Sequence, residues 1–209
     1  MNKTPTNRFF ILSPLIILLI THLTAIIFGK YFGGMVLIPV ILIYWGLLAF
    51  ILFRYGFDNI KRWLVKPQGH WGWIVLAGAL GISSLPLFIN NVTVFRDTAV
   101  LLLHIAFFII NPWLEEFYWR GLLLDVTKKW PTWLAATYSS VFFMVWHSAF
   151  AWQSDAVRAL PFYITVLILG YAMVLIYKKT NSLRLCIFSH LLINIFNMGI
   201  PTLLNRIQF

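Results

Sequence analysis

TAVLLLHIAFFIINPWLEEFYWRGLLLD, residues 98–125, begins as an uncharged apolar run and ends on two glutamates, an arginine and an aspartate. The uncharged part, Thr98 to Leu114, is 17 residues long. The ~20 residues that cross a ~30 Å hydrocarbon core are reached only if the helix continues through Glu115, Glu116 and Arg120. The segment therefore carries charge into the membrane. Each ionised side chain at the centre of a spanning helix costs roughly 2.5–3.5 kcal/mol on insertion scales, so three together require a reason. Glu116 and Arg120 are four residues apart, which stacks them on one helix face as a charge-assisted pair. Glu115, about 100° further round, has no such partner. Pro112 cannot donate to the carbonyl of Phe108, which predicts a kink just before the carboxylates.

Further uncharged runs lie on both sides: Phe9 to Phe28, Tyr31 to Phe53, Trp71 to Phe95, Trp130 to Ser154, Ala159 to Tyr177 and Leu185 to Asn205. With 61% hydrophobic and 11% charged residues and a mean hydropathy of +0.85, the chain has too few polar side chains to cover a water-facing surface. A soluble globular domain is excluded. The expected fold is all-α, a polytopic transmembrane bundle of about seven spans with eight as the alternative, forming one domain over residues 1–209. Trp71 to Phe95 contains Gly81, Ser83, Ser84 and Pro86, and reads as a broken or re-entrant span.

The net charge of +10 does not point to nucleic acid, because the basic residues form no block or stripe. Sorted by the seven runs, Lys3, Arg8, Arg54, Lys61, Arg62, Lys66, Arg120, Lys128, Lys129, Lys178, Lys179 and Arg184 fall on one side. Lys30, Arg96, Arg158 and Arg206 fall on the other. Twelve against four puts the N-terminus in the cytoplasm and predicts an integral protein of the plasma membrane. The first run lacks a cleavage site and reads as a retained helix. The C-terminal Arg206-Ile-Gln-Phe209 has no cysteine for prenylation. Phe57, Ile60, Trp63 and Leu64, spaced among Lys61, Arg62 and Lys66, suit either a short helix in the membrane interface or a solvated basic linker. Trp63, Trp71, Trp73 and Trp130 lie near run ends, where an aromatic belt would hold them. The single cysteine, Cys186, reads as a small buried side chain.

Two more runs repeat the four-residue spacing: Phe143-Met-Val-Trp-His147 and His190-Leu-Leu-Ile-Asn194. A carboxylate, two imidazoles and a carboxamide supply a base, groups that bind a metal or polarise a carbonyl, and a neutral donor. Those are the parts of a hydrolytic site. A single membrane histidine such as His22 or His104 is more simply a hydrogen-bonded packing residue. Glu115 and Asn194 each lie ten residues from a basic-side helix end, Asp125 and Arg184, so the two can meet at ~15 Å depth. His147, 17 residues from Trp130, is expected nearer the other face.

Glu115-Glu116-x-x-x-Arg120, Phe143-x-x-x-His147 and His190-x-x-x-Asn194, in this order on successive apolar helices, resemble the three motifs of the CPBP family of C-a-a-X proteases and bacteriocin-processing or immunity proteins, also called Abi. The resemblance covers a catalytic core at about residues 98–198. It implies an intramembrane endopeptidase in which Glu115, helped by His147, activates water. His190 and Asn194 would stabilise the oxyanion, and Glu116, Arg120 and Phe143 would support them. The implied substrate is a peptide or lipidated, prenylated protein reached from the cytoplasmic side within the lipid. A zinc ion on Glu115, His147 and His190 is the metallo-type variant. A non-proteolytic bacteriocin-immunity or regulatory protein that keeps the site is the alternative. Oligomeric state is not written in the sequence.

Overall fold

The computed structural model describes residues 7–55, 58–151 and 154–207, with the side chains of Asn7 and Asp58 left aside. Lys3, Phe57 and the C-terminal Gln208 and Phe209 lie outside the described residues. Those described form helices and the turns between them, with no strand. In order they are α1 (Asn7–Phe32), α2 (Leu37–Tyr55), α3 (Asp58–Trp63), α4 (Gly72–Ile82), α5 (Leu85–Asn91), α6 (Thr98–Glu115), a π-helical turn (Glu116–Leu122), α7 (Leu123–Val126), α8 (Thr132–Trp146), α9 (Asp155–Arg158), α10 (Leu160–Thr180), α11 (Arg184–Phe196) and α12 (Gly199–Leu203). Short 3-10 turns join α1 to α2, α5 to α6 and α8 to the loop before α9.

The protein is an integral, helical membrane protein. Among the described residues, four helical stretches are long and apolar enough to cross a bilayer: Arg8–Tyr55, Gly72–Arg96, Thr98–Val126 and Leu160–Thr180. The first, 48 residues long, is folded back on itself. Gly33, at φ +52°, supplies the left-handed residue of that reversal. Phe10 near the start of α1 meets Tyr55 at the end of α2 edge-to-face at 5.3 Å, so the two helices are antiparallel. The seven uncharged runs do not translate into seven uninterrupted spanning helices, because helix breaks fall inside them. Trp71 to Phe95 is interrupted between α4 and α5, as its serines and proline predict. α8 is 15 residues and α11 is 13, both short of the ~20 a full crossing takes.

The two ends of the bundle are built differently. At one end lie Arg8, Arg54, Lys61, Lys66, Lys128, Lys179 and Arg184, around a cap made by residues 58–70. Trp63 is 1% exposed, stacked between Tyr55 and Phe117 at 6.0 Å from each ring. Its Nε1–H donates to Asp125 Oδ2 at 3.0 Å, where Tyr55 Oη–H also donates and Arg62 forms an ion pair. The backbone of the same segment is tied down by Leu183 N–H to the Trp63 carbonyl at 2.8 Å and Gln68 N–H to the Thr180 carbonyl at 2.9 Å. Ser182 Oγ–H donates to the Val65 carbonyl at 2.6 Å. The short helix expected here is present as α3, and the segment is packed onto the bundle rather than a solvated linker, with Trp63 buried in it. Its indole fills an apolar pocket and bonds a partly buried carboxylate. Gly121 is what lets the ring in, since a Cβ there would sit 2.9 Å from it.

The other end gathers the α1–α2 reversal, the α5–α6 turn, α9 and α12. Asp97 caps α6, accepting from the backbone N–H groups of Ala99 and Val100. Ser154 Oγ–H donates to the Thr202 carbonyl at 3.1 Å, and Asp155 N–H to Asn205 Oδ1 at 3.1 Å. The two histidines read as packing residues are bonded as such, His22 to Ser148 Oγ and the Leu18 carbonyl, His104 to the Ile195 carbonyl.

Trp63→Ala is expected to lower stability by about 3–5 kcal/mol, as for other buried Trp truncations. Thermal unfolding of the purified protein in detergent measures it, and an unshifted midpoint would show that the cap contributes no packing.

Candidate active site

α6 does not break at Pro112. The proline withholds only its own N–H, and the ladder resumes with Glu116 N–H bonded to the carbonyls of Pro112 and Trp113. After the first carboxylate, Glu116–Leu122 widens into a π-helical turn whose seven residues are all buried. Both carboxylates face one partner. His190, from α11, places Nδ1 2.7 Å from Glu116 Oε1 and Nε2 3.3 Å from Glu115 Oε2.

Glu116 Oε1 also accepts from Arg120 Nη1 at 3.0 Å, and this pair is 0–1% exposed. The expected four-residue pair is thus present, and the guanidinium lies over the Phe143 ring with Cζ 4.1 Å from its centroid. Phe143 has a second role. Its backbone carbonyl lies 2.7 Å from His147 Nδ1. A carbonyl only accepts, so Nδ1 carries the proton and the neutral ring keeps its lone pair on Nε2. One residue thus covers the arginine and sets the tautomer of the histidine.

Glu115, which the sequence left unpartnered, is held on both oxygens. Tyr44 Oη–H donates to Oε1 at 2.7 Å, and Asn111 Nδ2–H to Oε2 at 2.8 Å. Behind each donor stands an indole: Trp119 Nε1–H donates to Tyr44 Oη at 2.9 Å, and Trp45 Nε1–H to Asn111 Oδ1 at 2.9 Å. Tyr44 is further fixed by stacking on Trp146 at 3.6 Å. Asn111-x-x-x-Glu115 has the same four-residue spacing as the recognised pairs, and that signal was available. Tyr44 and Trp45 come from α2, 71 residues away for the Tyr44–Glu115 bond, and nothing in the sequence marks them.

Glu115, Glu116, Arg120, Phe143, His147, His190 and Asn194 all line one cavity of about 730 Å³. α8 begins two residues after Trp130 and carries His147 to its far end, so the depth mismatch is met by a long cavity rather than a shifted helix. Asn194 is 4% exposed and its Nδ2 has no protein partner. The cavity runs from Arg120 and Phe143 towards Asp155, Ala159 and Pro161, which are exposed. None of its lining residues comes from the 58–70 segment.

The residues as arranged do not fit zinc. Among the described residues no three His, Cys, Asp or Glu side chains are grouped to hold a metal ion, and both ring nitrogens of His190 already face carboxylates.

With the geometry in hand, residues 97–196 match the family model described as Rce1-like, type II CAAX prenyl endopeptidase. The match takes in the three motifs and agrees with the resemblance to the CPBP family, and at family level it supports a CAAX-type intramembrane protease. It speaks for neither a metal nor a bacteriocin-immunity role. No curated protein and no solved structure matches the chain.

Arg120→Leu, which leaves Glu116 buried without its arginine, is expected to lose about 3–5 kcal/mol. Adding Glu116→Gln recovers part of that loss, a coupling read from the four unfolding midpoints of the double-mutant cycle. Additive losses would mean that the pair is not the unit described.

Proposed function

We propose that the protein is an intramembrane endopeptidase that hydrolyses a peptide bond through water activated by Glu115. The observation that carries this reading is the meeting of Glu115, His147, His190 and Asn194 on one cavity. Glu115 offers about four lone-pair sites, of which Tyr44, Asn111 and His190 occupy three, leaving one on Oε1 for a water proton. As that proton moves to the carboxylate, the water oxygen adds to the scissile carbonyl carbon. The carbonyl oxygen becomes an oxyanion that accepts from the unpaired N–H of Asn194 and from His190 Nε2–H, which is released from Glu115 as that carboxylate takes up the proton. Collapse breaks the C–N bond, and the proton returns to the leaving amine from Glu115 or by way of His147 Nε2. The lone pair there suits it to carry a proton in either direction.

Glu116, Arg120 and Phe143 act through the others, holding His190 and His147 in register. Tyr44 and Asn111 act on Glu115 in the same way and are positioning residues. The substrate class is a membrane-associated polypeptide. The prenylated substrates named in the family description are the first class to test, and membrane lipid is the surrounding partner. The basic end is assigned to the cytoplasm and the host membrane to the plasma membrane.

Hydrolysis of internally quenched apolar and prenylated peptides by the purified protein in detergent tests the reading. Glu115→Gln is expected to abolish turnover while the unfolding midpoint stays within a few degrees. Asn194→Ala lowers kcat by about 10²–10³, as loss of an oxyanion donor does. Tyr44→Phe lowers kcat roughly ten- to a hundredfold with KM little changed, since a hydrogen bond to a charged group is worth about 1.5–3 kcal/mol. Full turnover by folded Glu115→Gln rules the proposal out.

A further inference from the structure

Phe107 lines two cavities: the catalytic one and a second, of about 130 Å³, between α2 and α6. To the second, α2 contributes Leu37, Ile41, Leu42 and Trp45, and α6 contributes Ala106 and Phe107. Both helices lie in stretches long and apolar enough to cross a bilayer. Leu42 is 59% exposed, whereas Leu37, Ile41 and Phe107 are 1%, 6% and 8% exposed. The cavity therefore runs from the outer surface of the helix pair into its interior.

What can occupy it follows from the lining, whose side chains are aliphatic or aromatic throughout. The indole N–H of Trp45 is already bonded to Asn111 Oδ1 at 2.9 Å. A buried water needs about two to four polar partners, whereas an apolar cavity of ~150 Å³ stays dry and takes a guest the size of benzene. A peptide segment would bury carbonyl and N–H groups without partners here, and a lipid headgroup would bury its charge. A hydrocarbon chain has no such groups to satisfy. The surrounding bilayer supplies one in the tails of its phospholipids, which are as apolar as leucine.

A short path joins this cavity to the catalytic carboxylate. Trp45 and Phe107 are stacked with their rings 6.3 Å apart. Trp45 Nε1–H holds Asn111, and Asn111 Nδ2–H in turn donates to Glu115 Oε2 at 2.8 Å. A chain seated beside the indole adds dispersion contacts along its flank. It thereby narrows the range of positions from which the indole N–H holds Asn111.

We propose that the cavity between α2 and α6 binds the end of a phospholipid acyl chain, and that the chain steadies the Trp45–Asn111–Glu115 series of hydrogen bonds. The binding site stands on its own lining. Its effect on Glu115 rests on the proteolytic reading.

Photolabelling tests the binding without needing turnover. The purified protein is placed in phosphatidylcholine vesicles doped with a phosphatidylcholine that carries a diazirine at the end of one acyl chain. After irradiation, the labelled residues are mapped by mass spectrometry. Adducts are expected on Leu37, Ile41 or Phe107, which a chain running along the outside of the bundle does not reach. Ala106→Leu, whose larger side chain fills part of the cavity, is expected to lose those adducts while keeping the ones on the exposed Leu19 and Leu102. Adducts confined to exposed residues, or unchanged in the filled variant, overturn the proposal. Leu42→Trp, at the exposed rim, replaces Ala106→Leu if that variant does not fold.

Peptide hydrolysis tests the effect on Glu115. It is compared in phosphatidylcholine vesicles and in a detergent with a rigid steroid body, too wide to enter. In the detergent, kcat of the unaltered protein is expected to fall about two- to tenfold with KM little changed, the size of effect that weakening one neutral hydrogen bond gives. Ala106→Leu, which carries its own filling, is expected to fall by less. Equal falls in the two proteins overturn the link to Glu115. Adducts as expected with no peptide hydrolysed in either setting leave the lipid site established and count against the protease instead.

Discussion

Ionised groups within a hydrocarbon layer are tolerated only where they neutralise one another, and in this chain that requirement falls on four side chains from two helical segments. Glu116 is bonded to Arg120 one turn away and to His190 on α11, and His190 reaches across to Glu115. With His190 protonated, two carboxylates face two cations and the cluster is neutral. With it neutral, one carboxylate proton does the same. Removing Glu116 or Arg120 strands a buried charge, and the contacts of His190 with both carboxylates fix the register of α11 against the π-helical turn. The third motif helix joins through Phe143, whose ring covers the arginine and whose carbonyl holds His147. The three motifs are therefore one bonded object, and their repeated four-residue spacing has three different causes: an ion pair, a side chain to backbone bond, and two groups presented on one face.

The two glutamates, adjacent in sequence, are held by different chemistry. Glu116 is bound by charged partners and stays where they hold it. Glu115 is bound mainly by neutral donors, each backed by an indole, and this positions a carboxylate without committing it to a strong cation. Oriented dipoles of that kind need no rearrangement while charge shifts during a reaction. Consecutive helix positions point about 100° apart, and both side chains reach His190 because its two ring nitrogens face different carboxylates.

Composition and uncharged runs made the membrane class legible, and helical spacing made the Glu116–Arg120 pair and the helical face of each histidine legible. Those are local properties. What was not legible came from distance in the chain. Tyr44 and Trp45 are ordinary aromatic residues in an apolar helix until α2 packs on α6 and brings them to Glu115 and Asn111. Trp63 has the sequence context of an interfacial residue, and only Gly121, 58 positions on, gives its ring somewhere better to go. Run length overstated helix length for a related reason. An uncharged run records what lipid tolerates, whereas helix ends in α4, α8 and α11 answer to the cavity they border.

The catalytic cavity is under a permeability constraint. A cavity that admits water to hydrolyse a peptide bond must not become a path across the membrane. Its deepest charged residue, Arg120, lies five residues from Asp125, about 8 Å along the helix. Little thickness remains for a barrier. What fills it is dense and aromatic: Phe117, Trp63 and Tyr55 in successive contact, with Asp125 taking up the polar atoms of the cap. Loosening this layer would threaten the seal before it disturbed the chemistry, because its side-chain hydrogen bonds run to Asp125 rather than to the charge cluster. The basic residues around it add a second function at no structural expense, since positive charge at this end repels cations from the thinnest part of the wall.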